Sequence, residues 1–132
     1  MLFIVGVKSI AEVWENNKTL NYLNLRMNNY GPEGFKHICN ALGKNCSARH
    51  LNFSENALGD DAIIGLAEAL KTNTNLDHLG LNEVQITAVG TQAIAEYVAQ
   101  SNKINFLSVL GNKMGVEGGT ITHLKCVAGN FN

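Results

Sequence analysis

Leu20-Asn21-Tyr22-Leu23-Asn24-Leu25-Arg26-Met27-Asn28 decides how this chain reads, because its pattern returns three more times at a fixed interval of 28 residues. Ala48-Arg49-His50-Leu51-Asn52-Phe53-Ser54-Glu55-Asn56 carries it, then Leu76-Asp77-His78-Leu79-Gly80-Leu81-Asn82-Glu83-Val84, then Ile104-Asn105-Phe106-Leu107-Ser108-Val109-Leu110-Gly111-Asn112. The spacing never slips. Self-similarity at such a period marks stacked units, each burying its apolar face only against its neighbours. The question of function becomes one about a surface.

Within a unit the first residues alternate like a strand, with Leu23 and Leu25 on one side and Tyr22, Asn24 and Arg26 on the other. Turn residues follow: Asn28-Asn29-Tyr30-Gly31-Pro32, Asn56-Ala57-Leu58-Gly59 and Asn112-Lys113-Met114-Gly115. The spacing then becomes helical. In the second unit Asp60 and Asp61 stand at the helix start and Lys71 near its end, and Ile63, Leu66, Ala67 and Leu70 form one apolar stripe. Ala41, Ala69 and Ala95 allow neighbouring helices to approach closely, and Asn45 and Asn73 mark helix ends. The amides of Asn28, Asn56 and Asn112 are expected to bond turn backbone, a structural rather than a functional role. Val84 breaks that series, so a side-chain bond should be missing there, with room for a local register adjustment around Asn82 and Glu83.

These motifs resemble the leucine-rich-repeat family, and the unit of strand plus full helix is similar to its ribonuclease-inhibitor-like subclass, which includes repeat regions of NOD-like receptors and Ran GTPase-activating proteins. The resemblance implies an α/β leucine-rich-repeat solenoid, a short curved horseshoe with a parallel sheet on its concave face and helices on its convex face. It divides a single domain, 1–132, into a partial N-terminal repeat (1–19), full repeats (20–47, 48–75 and 76–103) and a degenerate C-terminal repeat or cap (104–132). A helix over 7–16, with Ile10, Val13 and Trp14, should cover the first full unit, and the backbone of Asn21–Leu25 is an open edge unless Met1–Val7 folds over it as a cap. Gly118-Gly119 and Thr120-Ile121-Thr122 weaken the pattern near the end.

Ten basic and eleven acidic side chains give a net charge of −1, which provides no field to attract nucleic acid or an anionic membrane. The apolar opening Met1–Val7 lacks a basic flank and is too short to span a bilayer. Of the three cysteines, Cys39 and Cys126 occupy small core positions, and Cys46, at a helix end, is the candidate reactive thiol. A reduced, cytoplasmic setting is expected.

Strand alternation gathers three surface columns: Tyr22, His50, His78 and Phe106; Asn24, Asn52, Gly80 and Ser108; Arg26, Ser54, Asn82 and Leu110. Aromatic and imidazole groups supply rigid apolar area with polar tips, the chemistry of binding hot spots. The expected partner-binding residues are Tyr22, Asn24, Arg26, His50, Asn52, His78, Asn82 and Phe106. His50 and His78 should be close, with Glu55 or Glu83 as a conceivable third ligand. Zinc usually needs three or four convergent ligands, so no metal site and no cofactor are assigned. No nucleophile, base and orienting group fall into a catalytic pattern.

The leading expectation is a non-catalytic module that binds a protein or peptide on its concave sheet, with self-association through the open end. A GTPase regulator resembling Ran GTPase-activating proteins is the alternative, as is the recognition fragment of a larger receptor. Regulation by a phosphate-reaching arginine would fall to Arg26 or Arg49, both in strand segments.

Overall fold

A computed structural model describes residues 3–45, 47–73 and 75–113. Its elements alternate along the chain: α1 (Ile4–Glu15), β1 (Tyr22–Asn24), α2 (Gly31–Leu42), β2 (His50–Asn52), α3 (Asp60–Leu70), β3 (His78–Gly80), α4 (Ala88–Gln100) and β4 (Phe106–Ser108). The strands form one parallel sheet in the order β1-β2-β3-β4. Its register matches the 28-residue spacing at each step, with Tyr22 beside His50, His50 beside His78 and His78 beside Phe106. The fold is therefore mixed α/β, and no helix among the described residues is long and apolar enough to cross a membrane.

Alternation and helical spacing place the core as expected. Leu51, Leu79 and Leu107 point from the strands into one cluster with Phe35, Ile38, Ile63, Leu66, Leu70 and Ile94 from the helices. In α3 the buried residues are Ile63, Leu66, Ala67 and Leu70, the stripe expected from sequence. Helix α1 starts earlier than expected and buries Val7, Ala11 and Trp14. Val13 was expected in this covering face, yet it is 73% exposed. The residues that face inward are spaced by four and three, and Val13 lies about 100° around the helix from Trp14, at 3.6 residues per turn.

Cys39 is a free, half-buried thiol packed against the core, and burial pushes its pKa up to about 12. A high pKa suppresses the thiolate, in keeping with a packing role. The expectations for Cys46, Cys126, Gly118-Gly119 and Thr120-Ile121-Thr122 lie outside the described residues.

Two asparagine series tie successive units together. Asn56 Nδ2 donates to the carbonyls of Leu25, Phe53 and Ser54 at 2.9, 2.9 and 3.1 Å, and its Oδ1 accepts from Asn28 N at 3.0 Å. Asn112 repeats this on Leu81, Val109 and Leu110, and its Oδ1 accepts from Val84 N at 2.9 Å. The second series follows each helix: Asn45 Nδ2 donates to Trp14 O and Asn17 O, and Asn73 Nδ2 donates to Asn45 O. Turn carbonyls thus gain side-chain donors, two of them, Ser54 O and Leu110 O, in addition to the backbone N–H groups of Met27 and Glu83.

Candidate functional site

The face of the sheet away from the core carries the three columns. Short strands only three residues long hold them, so each side chain is set by parallel register rather than by long pairing. Tyr22, His50, His78 and Phe106 form a continuous ladder. Ring centroids lie 5.9 Å apart for Tyr22 and His50, 4.3 Å for His50 and His78, and 5.4 Å for His78 and Phe106. The planes tilt by 31°, 22° and 26°, so the rings present a nearly common surface. Tyr22 and Phe106 are 57% and 50% exposed. Cross-strand stacking of this kind contributes stability and also leaves apolar area facing outward.

The polar columns are engaged with the backbone. Asn24 Oδ1 accepts from Arg26 N and Asn52 Oδ1 from Ser54 N, both at 3.0 Å. Ser54 is buried, and its hydroxyl accepts from Asn82 N at 3.0 Å. Asn82 Oδ1 in turn accepts from Ser108 Oγ at 2.6 Å and Leu110 N at 2.8 Å. Arg26 is held by Glu55, with Nε donating to Oε1 at 2.7 Å and a second contact through Nη2. The eight expected site residues therefore share one face, but only the ring ladder offers outward groups of substantial apolar area.

Neither Glu55 nor Glu83, the third ligands that the repeat spacing offers beside the histidines, is grouped with them. Glu55 is instead committed to Arg26, and the carboxylate that joins them is Asp77. Ligand atoms of His50, Asp77 and His78 all lie within 4.8 Å of one another. Strict alternation puts Asp77 on the opposite face from His78, but Asp77 precedes β3 and is not bound by the strand's pleat.

A second concavity lies on the helical side between α2 and α3, lined by Phe35, Cys39, Asp61, Gly65, Ala69 and Thr72. A Cβ at Gly65 would meet nothing within 4 Å, so the missing side chain keeps this groove open. In the sequence its one visible sign is a glycine in a helix interior.

No family model and no curated protein sequence matches the chain. Among solved structures, it is similar to leiomodin-1 actin-binding site 2, with a TM-score of 0.80 and 14% identity over 97% of this chain and 74% of that one. It is also similar to the tropomodulin C-terminal domain of Caenorhabditis elegans, with a TM-score of 0.81 and 10% identity over 97% of this chain and 77% of that one. These likenesses establish the fold. They correct the expected family: the matched structures are tropomodulin and leiomodin domains, and the ribonuclease-inhibitor-like assignment is withdrawn. The reason is physical. Apolar spacing encodes the strand, turn and helix of a unit, which different families share, while the surface residues that separate families are not part of that spacing.

Proposed function

We propose that this chain is a non-catalytic interaction module whose exposed sheet face binds a protein or peptide. The ladder Tyr22-His50-His78-Phe106 carries this reading, because a row of stacked, outward rings is preorganised and loses little conformational freedom on binding. Asn24, Arg26, Asn52 and Asn82 form its polar surround. Actin is the first partner to test, since the leiomodin-1 structure of the same fold is named for an actin-binding site. The GTPase-regulator alternative requires an arginine free to reach phosphate, and the pairing of Arg26 with Glu55 weighs against it.

The architecture that best serves this role is a short curved solenoid with the sheet on its concave side, built from units 20–47, 48–75 and 76–103 within one domain, 1–132. Parallel strands about 4.7–4.9 Å apart opposite broader helices would bend the stack toward the sheet. A cytoplasmic setting fits the free thiol of Cys39. The outer edge of β1 is the proposed route to self-association, because unpaired strand backbone accepts another strand. Light scattering should then show a concentration-dependent mass, and a monomer at every concentration refutes this route.

Fluorescence anisotropy with labelled monomeric actin tests the binding face. Tyr22→Ala/Phe106→Ala should lower affinity about tenfold or more with the fold unchanged by circular dichroism. Unaltered affinity in that variant, with loss in Gly65→Gln, would move the site to the groove between α2 and α3. Absence of binding by the native chain would remove actin as the partner.

A further inference from the structure

We infer that His50, His78 and Asp77 form a binding site for a divalent transition metal of the zinc class on the exposed sheet face. The three side chains come from two adjacent strands and the residue preceding one of them, and their ligand atoms converge within 4.8 Å. All three side chains are partly buried, which limits their mobility.

The arrangement of His78 and Asp77 is the strongest indication. His78 Nδ1 lies 3.2 Å from Asp77 Oδ2, close enough for an ion pair. Yet this nitrogen, itself shielded from solvent, has no hydrogen-bond partner among the described residues. A ring nitrogen and a carboxylate oxygen that lie this close without a hydrogen bond between them are available to a shared cation. Zn–N and Zn–O distances of about 2.0–2.1 Å at a tetrahedral angle place two ligand atoms about 3.3 Å apart, which matches this pair. His50 completes the set: its ring stacks on His78 at 4.3 Å and its ligand atom lies within 4.8 Å of the other two.

The carboxylate is also oriented from outside the site. Asn105 Nδ2 donates to Asp77 Oδ1 at 2.6 Å, leaving Oδ2 toward His78. Support of this kind is what fixes a metal-binding carboxylate. Two imidazole nitrogens and one carboxylate oxygen suit zinc and its first-row neighbours better than magnesium or calcium, which prefer all-oxygen sets. Three protein ligands would leave a fourth tetrahedral position for water or a further ligand.

Calorimetric titration of the full chain with Zn²⁺ tests the site. One equivalent should bind, and His50→Ala, His78→Ala and Asp77→Asn should each lower affinity more than tenfold. Asn105→Ala, a positioning change, should cost about 10–100-fold. Co²⁺ should compete for the same equivalent and give a spectrum without a thiolate-to-metal band, which separates this site from any cysteine site. Circular dichroism of each variant must match the native chain, and nuclear magnetic resonance of the native chain should show Zn²⁺ perturbing the His50 and His78 ring signals first. A thiolate band, unchanged affinity in the folded ligand variants, or perturbation of other histidines first overturns the assignment.

Discussion

Asp60 should prove to be a brace between units rather than a local helix-start charge. It lies in the first turn of α3, but its carboxylate accepts three hydrogen bonds from the start of α4: Thr87 N at 2.8 Å, Thr87 Oγ1 at 2.6 Å and Gly90 N at 3.0 Å. It thus caps the next helix alongside Thr87, whose own hydroxyl accepts from Val89 N. Losing a cap costs about 0.5–2 kcal/mol, and bonds to a charged acceptor are stronger than neutral ones, though partial exposure of Asp60 limits the gain. Asp60→Ala should therefore destabilise by about 1.5–2 kcal/mol, whereas Asp61→Ala, on the exposed side of the same turn, should stay within about 0.5 kcal/mol. Urea denaturation followed by circular dichroism measures both. Equal midpoints for the two variants would refute the brace.

Gly90 gives the same argument an independent check. A Cβ there would lie 2.5 Å from Asp60 Oδ1 and 3.0 Å from Ile86 Cγ2. Overpacking costs about 1–3 kcal/mol, against a gain of about 1 kcal/mol from replacing glycine in a helix, so Gly90→Ala should be destabilising in the native background. In an Asp60→Ala background the tighter of the two contacts is gone, and the same change should become neutral or favourable. Additivity within about 0.5 kcal/mol would show that the two residues are not coupled. The acid response has a definite sign. Burial alone would raise the Asp60 pKa, but the Thr87 side-chain bond and the Thr87 and Gly90 backbone bonds together lower it. A lowered folded pKa stabilises above the ordinary carboxylate range and loses that contribution as pH falls through the folded value. The gap between native chain and Asp60→Ala should accordingly narrow below about pH 4.

Leu79→Ala should cost about 2–5 kcal/mol, because Leu79 is fully buried between neighbours on both sides; Leu107→Ala, in β4, should cost less, and the reverse ranking in urea would contradict the central position of β3. Asn56→Ala removes bonds to three carbonyls and one N–H, of which Ser54 O keeps the bond from Met27 N, so it should cost about 2–4 kcal/mol and exceed Asn28→Ala in the same assay. Tyr30 is buried with a hydroxyl that finds no partner among the described residues, and desolvation by burial, with Cys39 nearby, raises its pKa. Tyr30→Phe should be neutral or stabilising by about 1 kcal/mol, and a loss of thermal stability would reveal a bond to that hydroxyl.

Register and core were legible because the code for them is short-range. A period of two within the strand and of about 3.6 within the helix placed Leu51, Leu79, Ile63 and Leu66 inward, and the constant 28-residue interval aligned His50 with His78. The roles of Asn56 and Asn112 followed from their shared place in a turn whose carbonyls need donors. Contacts between units were harder to see. Asp60 looks like an ordinary acidic helix start until α4 is laid beside α3, and Asp77 joins the histidines only because it lies just outside the strand whose alternation would have turned it away. The likeness to tropomodulin and leiomodin domains was not legible at all, since the apolar period leaves the surface residues free.

The third turn explains why Asp60 is needed where it is. Met27, Glu55, Glu83 and Gly111 all take positive φ, at 56°, 58°, 51° and 71°, so the left-handed step recurs once per unit although only one of the four is glycine. For the other three the backbone conformation costs about 1–2 kcal/mol per residue, which hydrogen bonds across the turns must offset. In the first two turns a second left-handed residue follows at Gly31 and Gly59, before the helix begins. The third turn departs from this: the second left-handed residue is Gln85, Thr87 is extended, and Val84 stands in place of the asparagine. Val84 is buried and cannot donate to neighbouring carbonyls, so the asparagine series lapses at that unit. Asp60 and Thr87 restore a link between α3 and α4 by a different chemistry, charge-assisted bonds to a helix start. The residues that occupy the Asp60 position in the units before and after it are Pro32 and Ala88, neither of which can make that link. The departure from the repeated pattern and the residue that compensates for it therefore fall at the same junction.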